Sequence, residues 1–283
     1  MEEIANNIYI ETTYPGVVIA ALRLKQGMLL VDAPFRVEDS RAWQAQLVQL
    51  RGGTKRYLIM LDTHIDRTLG IHTMNTPVLG HENAVRILNA RSTTARGQDI
   101  DAGADWEPYE LPPSIRWAEL DLSYEKDLLI YWDEAPVIVS HQSGAHLAGS
   151  WVRCETEKIV FVGDSVVLDQ PPFLAWSDID RWLVELGWLR SDQFKDYQIV
   201  SGRNGLVTID DVEKMADYLQ QIQSAVTELA DSDQRDEEIA AAASDLLNKL
   251  TFNQDLRALY QNRLVWGMQQ YIQRHPIETH TES

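Results

Sequence analysis

The chain has 283 residues, 45% hydrophobic and 24% charged, which is the composition of a globular protein large enough for a sizeable core. Forty-three acidic against twenty-five basic residues give a formal net charge of -18. That field repels nucleic-acid backbones and anionic lipid headgroups, so neither is expected as a partner. Cys154 is the only cysteine, which excludes an intrachain disulfide and a cysteine-held zinc. The opening MEEIANN is acidic with no apolar run, and no stretch reaches the ~20 apolar residues that a membrane helix needs. A cytoplasmic location is the expectation.

In chain order, NIYIET (7–12), GVVIAALRL (16–24) and MLLVDA (28–33) are β-rich runs parted by turn signals, an antiparallel meander. Residues 37–50 carry a helical period through Val37, Ala42, Trp43, Leu47 and Leu50, and RGG ends it. RYLIML (56–61) is a buried-strand run. A short strand is expected at 76–81, a helix at 82–94 and a surface loop at 95–108. Strand runs follow at 115–120, 127–132, 136–140, 150–154 and 158–162, then a helix at 176–189 and a last strand at 196–202. From about residue 210 to 274 the spacing predicts helices only. Met215, Leu219, Ile222, Val226 and Leu229 mark the first; Ile239, Leu246 and Leu250 the second; Leu256, Tyr260, Leu264 and Tyr271 the third. Such amphipathic helices need cover from the body of the protein or from a partner.

Chemistry-bearing residues gather where strand runs end. MLDTHIDRTLG (60–70) places Asp62, His64, Asp66 and Arg67 directly after one. SGAHLAGS lacks the G-x-S-x-G elbow of a serine nucleophile. His72 and His81 lie outside these stretches, and His81 before ENA reads as the start of a helix. His141 reads as an ordinary polar residue at a strand end.

Four stretches in order resemble the metallo-β-lactamase-fold superfamily over roughly residues 4 to 208. LDTHIDRTLG resembles the H-x-H-x-D-H-x-G-G loop, and TPVLGHENAVRIL the strand and helix after it. GAHLAGSWVRCETEKIVFVGDSVV resembles the G-H-T-P-G-S to G-D stretch, and QIVSGRNGLV the terminal P-G-H-G strand. The resemblance implies an αββα sandwich of two mixed sheets over residues 1–208, with a helical extension over 209–283. It also implies a site of two metal ions held by His and Asp, whose bridging hydroxide attacks the substrate.

Carried over residue by residue, His64 and Asp66 stand at the second His and the Asp of the loop. His146 stands at the His of G-H-T-P-G-S, and Asp164 at the bridging Asp. Asp62 replaces the first His, Arg67 the last His of the loop, and Arg203 the His of P-G-H-G. One metal position would thus keep Asp62, His64, His146 and Asp164. The other would have Asp66, Arg67, Asp164 and Arg203. Arginine presents only donors and stays charged, so it cannot ligate a cation. Arg67 and Arg203 are expected to neutralise Asp66 and Asp164 in place of the second ion.

Two readings follow. In one the protein is a single-metal hydrolase using zinc, iron or manganese, with Asp66 as a candidate catalytic residue and a small molecule as substrate. In the other it binds no metal and is a catalytically silent relative serving binding or assembly. A homodimer through residues 210 to 272 is a further expectation.

Overall fold

A computed structural model describes residues 1–53, 55–91, 101–110, 116–230, 232 and 235–275. Its first strands are β1 (Glu2–Ala5), β2 (Ile8–Glu11), β3 (Ile19–Leu24) and β4 (Gly27–Val31), which form the expected antiparallel meander. β5 (Arg56–Ile59), β6 (Val78–His81) and β7 (Leu122–Tyr124) extend it with parallel pairings into a seven-stranded sheet. Helices α1 (Val37–Gln49) and α3 (Glu82–Ala90) make two of its crossovers, and the single turn α2 (Ile65–Thr68) lies between them in sequence. β4 is buried along its whole length, as a strand covered on both faces must be, and its run GMLLV accordingly does not alternate.

The second sheet has six strands in the order β13-β12-β11-β10-β9-β8. They are β8 (Asp127–Ile130), β9 (Val137–His141), β10 (Ser150–Cys154), β11 (Ile159–Gly163), β12 (Gln198–Ser201) and β13 (Gly205–Val207). Only the β11–β12 pairing is parallel, with helix α4 (Ile179–Leu189) in the crossover between them. Ile10, Leu22, Leu29, Ile59, Val139, Val152 and Phe161 fill the space between the sheets. Trp43 and Leu47 of α1 and Leu88 of α3 cover the outer face of the first. The αββα sandwich is therefore present, with mixed sheets and helices outside.

Helices α5 (Ile209–Leu229), α6 (Arg235–Leu247) and α7 (Arg257–Arg274) follow the sandwich. Thr208 and Asp211 form a reciprocal capping box that starts α5 directly after β13. Leu219 and Ile222 of α5, Ile239 and Leu246 of α6, and Leu264 and Met268 of α7 join one core with Val160, Val162 and Trp182. The extension thus completes the outer helical layer of the second sheet. Apolar residues of all three helices are covered within the chain.

Several local expectations differ from the fold. Residues 116–120 of the run 115–120 carry no strand, and residue 115 lies outside the described residues. Ala118 and Leu120 pack onto the outer core instead, and pairing with β6 starts at Leu122 opposite Leu79. β12 is not the last strand, because the turn at Gly205 (φ 76°) returns the chain as the three-residue β13. β1 was unexpected because its Glu2 and Glu3 sit exposed at a sheet edge, with no apolar alternation to read. The expected helix 82–94 ends at Ala90; its residues 92–94, and residues 95–100 of the expected loop, lie outside the described residues. Among the described residues, no helix is long and apolar enough to cross a membrane.

Candidate functional site

The strand ends of both sheets meet along one edge of the sandwich. The chain leaves β5 through Asp62 and Thr63 and enters α2 with His64 as its N-cap residue. The β9–β10 connection carries His146, the residue after β11 is Asp164, and the β12–β13 turn carries Arg203. Asp62, His64, Asp66, Arg67, His146 and Asp164 are all buried. The sequence-predicted residues therefore converge from positions up to 141 apart in the chain, counting from Asp62 to Arg203.

Arg67 is fully buried, and its guanidinium touches three carboxylates. It donates to Asp164 Oδ1, lies 3.0 Å from Asp62 Oδ2, and reaches Asp32 Oδ2 at 3.4 Å. Arg203, its side chain 1% exposed, places Nε 2.9 Å from Asp164 Oδ2 and Nη1 2.9 Å from Asp66 Oδ2. The same Nη1 reaches Asp105 Oδ2 at 3.2 Å and the Gly16 carbonyl at 3.0 Å. Arg203 pairs with Asp66 and Asp164 as expected, but Arg67 does not pair with Asp66. The two are consecutive on α2, so their side chains leave the helix about 100° apart, and Arg67 turns to Asp62 and Asp32 instead.

Two glycines make room for these groups. A Cβ at Gly202 would stand 2.8 Å from Arg67 Nη1, and one at Gly16 (φ 72°) would stand 2.9 Å from Asp66 Cγ. Asp32 follows β4 in the left-handed region (φ 56°) and accepts from the Leu61 amide at 2.9 Å, fixing the backbone just before Asp62.

His64 Nδ1 lies 3.0 Å from Asp101 Oδ1, whose other oxygen accepts from the Ile65 amide at 3.0 Å. Its Nε2 is buried without a hydrogen-bond partner, 3.5 Å from Asp164 Oδ2. Burial opposes a charge on this ring, but Asp101, Asp62 and Asp164 together outweigh it and raise its pKa. Burial likewise opposes ionisation of Asp164, yet Arg203, Arg67 and His64 hold that carboxyl well below the usual range. Asp66 goes the other way. Burial raises its pKa, because the one charge of Arg203 is shared with Asp164 and Asp105.

His146 is arranged differently. Its Nδ1 accepts from the Ala148 amide at 3.0 Å, so the proton of the neutral ring sits on Nε2, which donates to Thr63 Oγ1 at 3.1 Å. Burial, with His64 and Arg91 nearby, pushes its pKa down to about 3. Metal-ligating histidines donate their second ring nitrogen outward, whereas here that nitrogen accepts and the other carries hydrogen. Ligand atoms of Asp62, His64 and Asp164 lie within 4.8 Å of one another, and His146 is outside that group.

A lid of residues not anticipated from the sequence covers the site. The Phe173 ring lies 4.6 Å from His64, and the guanidinium carbons of Arg203 and Arg263 lie 4.7 and 4.1 Å from its centre. Arg263 comes from α7 and donates to the carbonyls of Gly103 (2.8 Å) and Pro171 (3.0 Å) and to Gln170 Oε1 (2.8 Å). Asp32, Asp101 and Asp105 were also missed. Only Asp32, a lone carboxylate ending the run MLLVD, left a readable trace.

Glu185 of α4 braces the His146 loop by accepting from the Gly144 amide at 2.9 Å, while its Oε2 is buried without a partner. Burial pushes its pKa up to about 7 from the ordinary 4.5. A carboxyl whose folded pKa is raised adds stability below its unfolded pKa and loses that contribution as pH rises through the folded one. Glu185→Gln is therefore expected to gain on the wild type by about 3 kcal/mol between about pH 4 and pH 8.5, read from urea unfolding. A difference between the two proteins that stays flat with pH would contradict this account.

The fold compares closely with solved structures of low sequence identity. The stereoselective inverting sec-alkylsulfatase Pisa1 from Pseudomonas sp. aligns with a TM-score of 0.65 at 14% identity, over 96% of this chain and 49% of that one. A metallo-β-lactamase from Pontibacter korlensis aligns with a TM-score of 0.60 at 15% identity, over 77% of this chain and 97% of that one. The metallo-β-lactamase DIM-1 gives 0.58 at 16% identity, over 77% and 95%. This chain thus spans about half the length of the alkylsulfatase and nearly the whole of each lactamase. No protein-family model and no curated protein matches the sequence. The chain has the metallo-β-lactamase fold.

Proposed function

We propose that this metallo-β-lactamase fold is a catalytically silent relative whose two guanidiniums stand where the fold's metal pair would be, and that it serves binding or assembly rather than hydrolysis. The observation that carries this reading is the set of pairs made by Arg67 and Arg203 with Asp62, Asp66 and Asp164. Both oxygens of Asp164 face guanidinium nitrogens, and Asp62 offers its two oxygens to Arg67 and to the His64 amide. A cation entering there would meet two fixed positive charges and would have to displace them from buried carboxylates. The tautomer of His146 withholds a further ligand. These residues do not fit a dinuclear centre.

A second reading, a single-metal hydrolase, draws on the unpartnered Nε2 of His64 beside Asp62 and Asp164. Zinc, iron or manganese would be the ion, and Arg67 would have to swing away first. Thermal unfolding with and without a chelator separates the two. An ion present at about 100 times its Kd adds about 2.7 kcal/mol, a rise of roughly 5–10 °C in Tm. The silent reading expects the same Tm in both samples and elemental analysis below one transition-metal ion per chain. A chelator-sensitive Tm with one ion per chain would establish the second reading instead.

A further inference from the structure

The rings of His81 and His141 stack with their centroids 3.5 Å apart and their planes 10° from parallel. His81 ends β6 in the seven-stranded sheet, and His141 ends β9 in the six-stranded sheet. The stack is thus a side-chain tie between the two sheets, at the start of the connection that carries His146. A second tie lies beside it, because Tyr124 of β7 packs edge-on against His81 and donates to Ser150 Oγ of β10 at 2.5 Å.

The hydrogen bonds fix both tautomers. His81 Nδ1 accepts from the Asn83 amide at 3.2 Å, capping α3, so its Nε2 carries the proton and donates to the Glu125 carbonyl at 2.9 Å. His141 Nε2 donates to the Leu147 carbonyl at 3.1 Å, and the Asn83 side chain donates to that same carbonyl at 2.9 Å. Leu147 adjoins His146. His141 therefore holds the 142–149 connection directly, and His81 holds it through the stack and through Asn83 of α3, which shares the Leu147 carbonyl.

We propose that the His81–His141 stack is an acid-released clasp between the two sheets, holding the connection that bears His146 at neutral pH and freeing it on acidification. The proton comes from solvent. His141 takes it first, on Nδ1, without giving up its bond to Leu147. His81 has no such freedom, since protonating its Nδ1 turns an acceptor into a donor facing the Asn83 amide and uncaps α3. It also sets two like charges face to face at van der Waals distance. The second proton therefore arrives together with separation of the rings.

The surrounding charges do not cancel this effect. Glu82 and Arg86 of α3 and Glu125 of the β7–β8 turn face His81, and Glu82, His81 and Arg181 of α4 face His141. Burial is the larger influence on both rings and lowers both, and His81 lowers His141 further. A histidine lowered in the folded state contributes stability above its unfolded pKa and loses it as pH falls through the folded one. Release therefore belongs to the range below the ordinary histidine pKa of about 6.5.

The experiment is a titration of the full chain from about pH 7.5 to pH 4.5, following ring nitrogen shifts by NMR together with amide exchange corrected for intrinsic rate. The expected result is that His141 titrates first. The Ala148, Gly149 and Asn83 amides then lose protection by roughly ten-fold over the interval in which His81 titrates. In His141→Phe, which keeps a ring to stack but cannot take a charge, the pH-dependent loss at Ala148 and Gly149 should shrink and His81 should titrate at higher pH. If that variant does not fold, the wild-type ring shifts decide alone. Independent titration of both rings with unchanged protection would overturn the clasp, as would the same pH-dependent loss at Ala148 and Gly149 in His141→Phe.

Discussion

Replacing both guanidiniums, Arg67→His with Arg203→His, should turn a chain holding less than one transition-metal ion into one that takes up zinc. Removing two fixed positive charges leaves Asp62, Asp66 and Asp164 without neutralisation, and the new imidazoles supply lone pairs where only donors stood. Without zinc the double variant should be markedly less stable than the wild type, since buried carboxylates left unpaired cost about 3–5 kcal/mol. Zinc should recover most of that loss. Either single reversion should respond less, because one guanidinium would still point into the site. Metal stoichiometry by mass spectrometry and Tm against zinc concentration check this. Two ions in the wild type would sink the silent reading. Failure of the double variant to take up metal would show that exclusion does not lie in these two residues.

Asp164→Ala is expected to cost about 3–5 kcal/mol, lowering Tm by roughly 10 °C. Asp164 is the carboxylate on which Arg67 and Arg203 both converge, and its removal takes a partner from two buried guanidiniums at once. Asp164→Asn keeps the shape and one acceptor oxygen, so it should lie between. Lys214→Ala, which breaks the exposed i,i+3 contact with Asp211, is the near-neutral control. Urea unfolding measures all three. A loss below about 1 kcal/mol for Asp164→Ala would mean that the remaining carboxylates suffice for both arginines, and that Asp164 is not the keystone of the network.

The sequence made some of this site readable and hid the rest for physical reasons. Asp62, His64, His146 and Asp164 could be found because the stretches that carry them resemble the superfamily's motif loops, each after an apolar strand run. The charge substitution by Arg67 and Arg203 was also readable, because a guanidinium cannot do what an imidazole does. The choice of partner for Arg67 depends on which way a single helical turn points, which sequence spacing does not determine. The protonated nitrogen of His146 depends on where the Ala148 amide falls two residues later. Asp101 and Asp105 sat in a stretch whose Gly, Asp and Ala content reads as solvent-facing. Arg263 looked like any cation on an amphipathic helix. His81 was read as a helix start, and it is the N-cap of α3; its second role needed the position of His141 on the other sheet.

Arg263 has a consequence for the order in which the molecule is made. The residues that gather the buried charges run from Asp32 to Arg203, and all emerge from the ribosome before α7 is synthesised. Until Arg263 docks on Phe173 and the Gly103 carbonyl, the cleft lacks its last cover. The nascent chain thus passes through a stage in which its acidic interior is built but unstoppered. Docking of α7 is then the step that closes the site, through Arg263 on Phe173 and the Gly103 carbonyl.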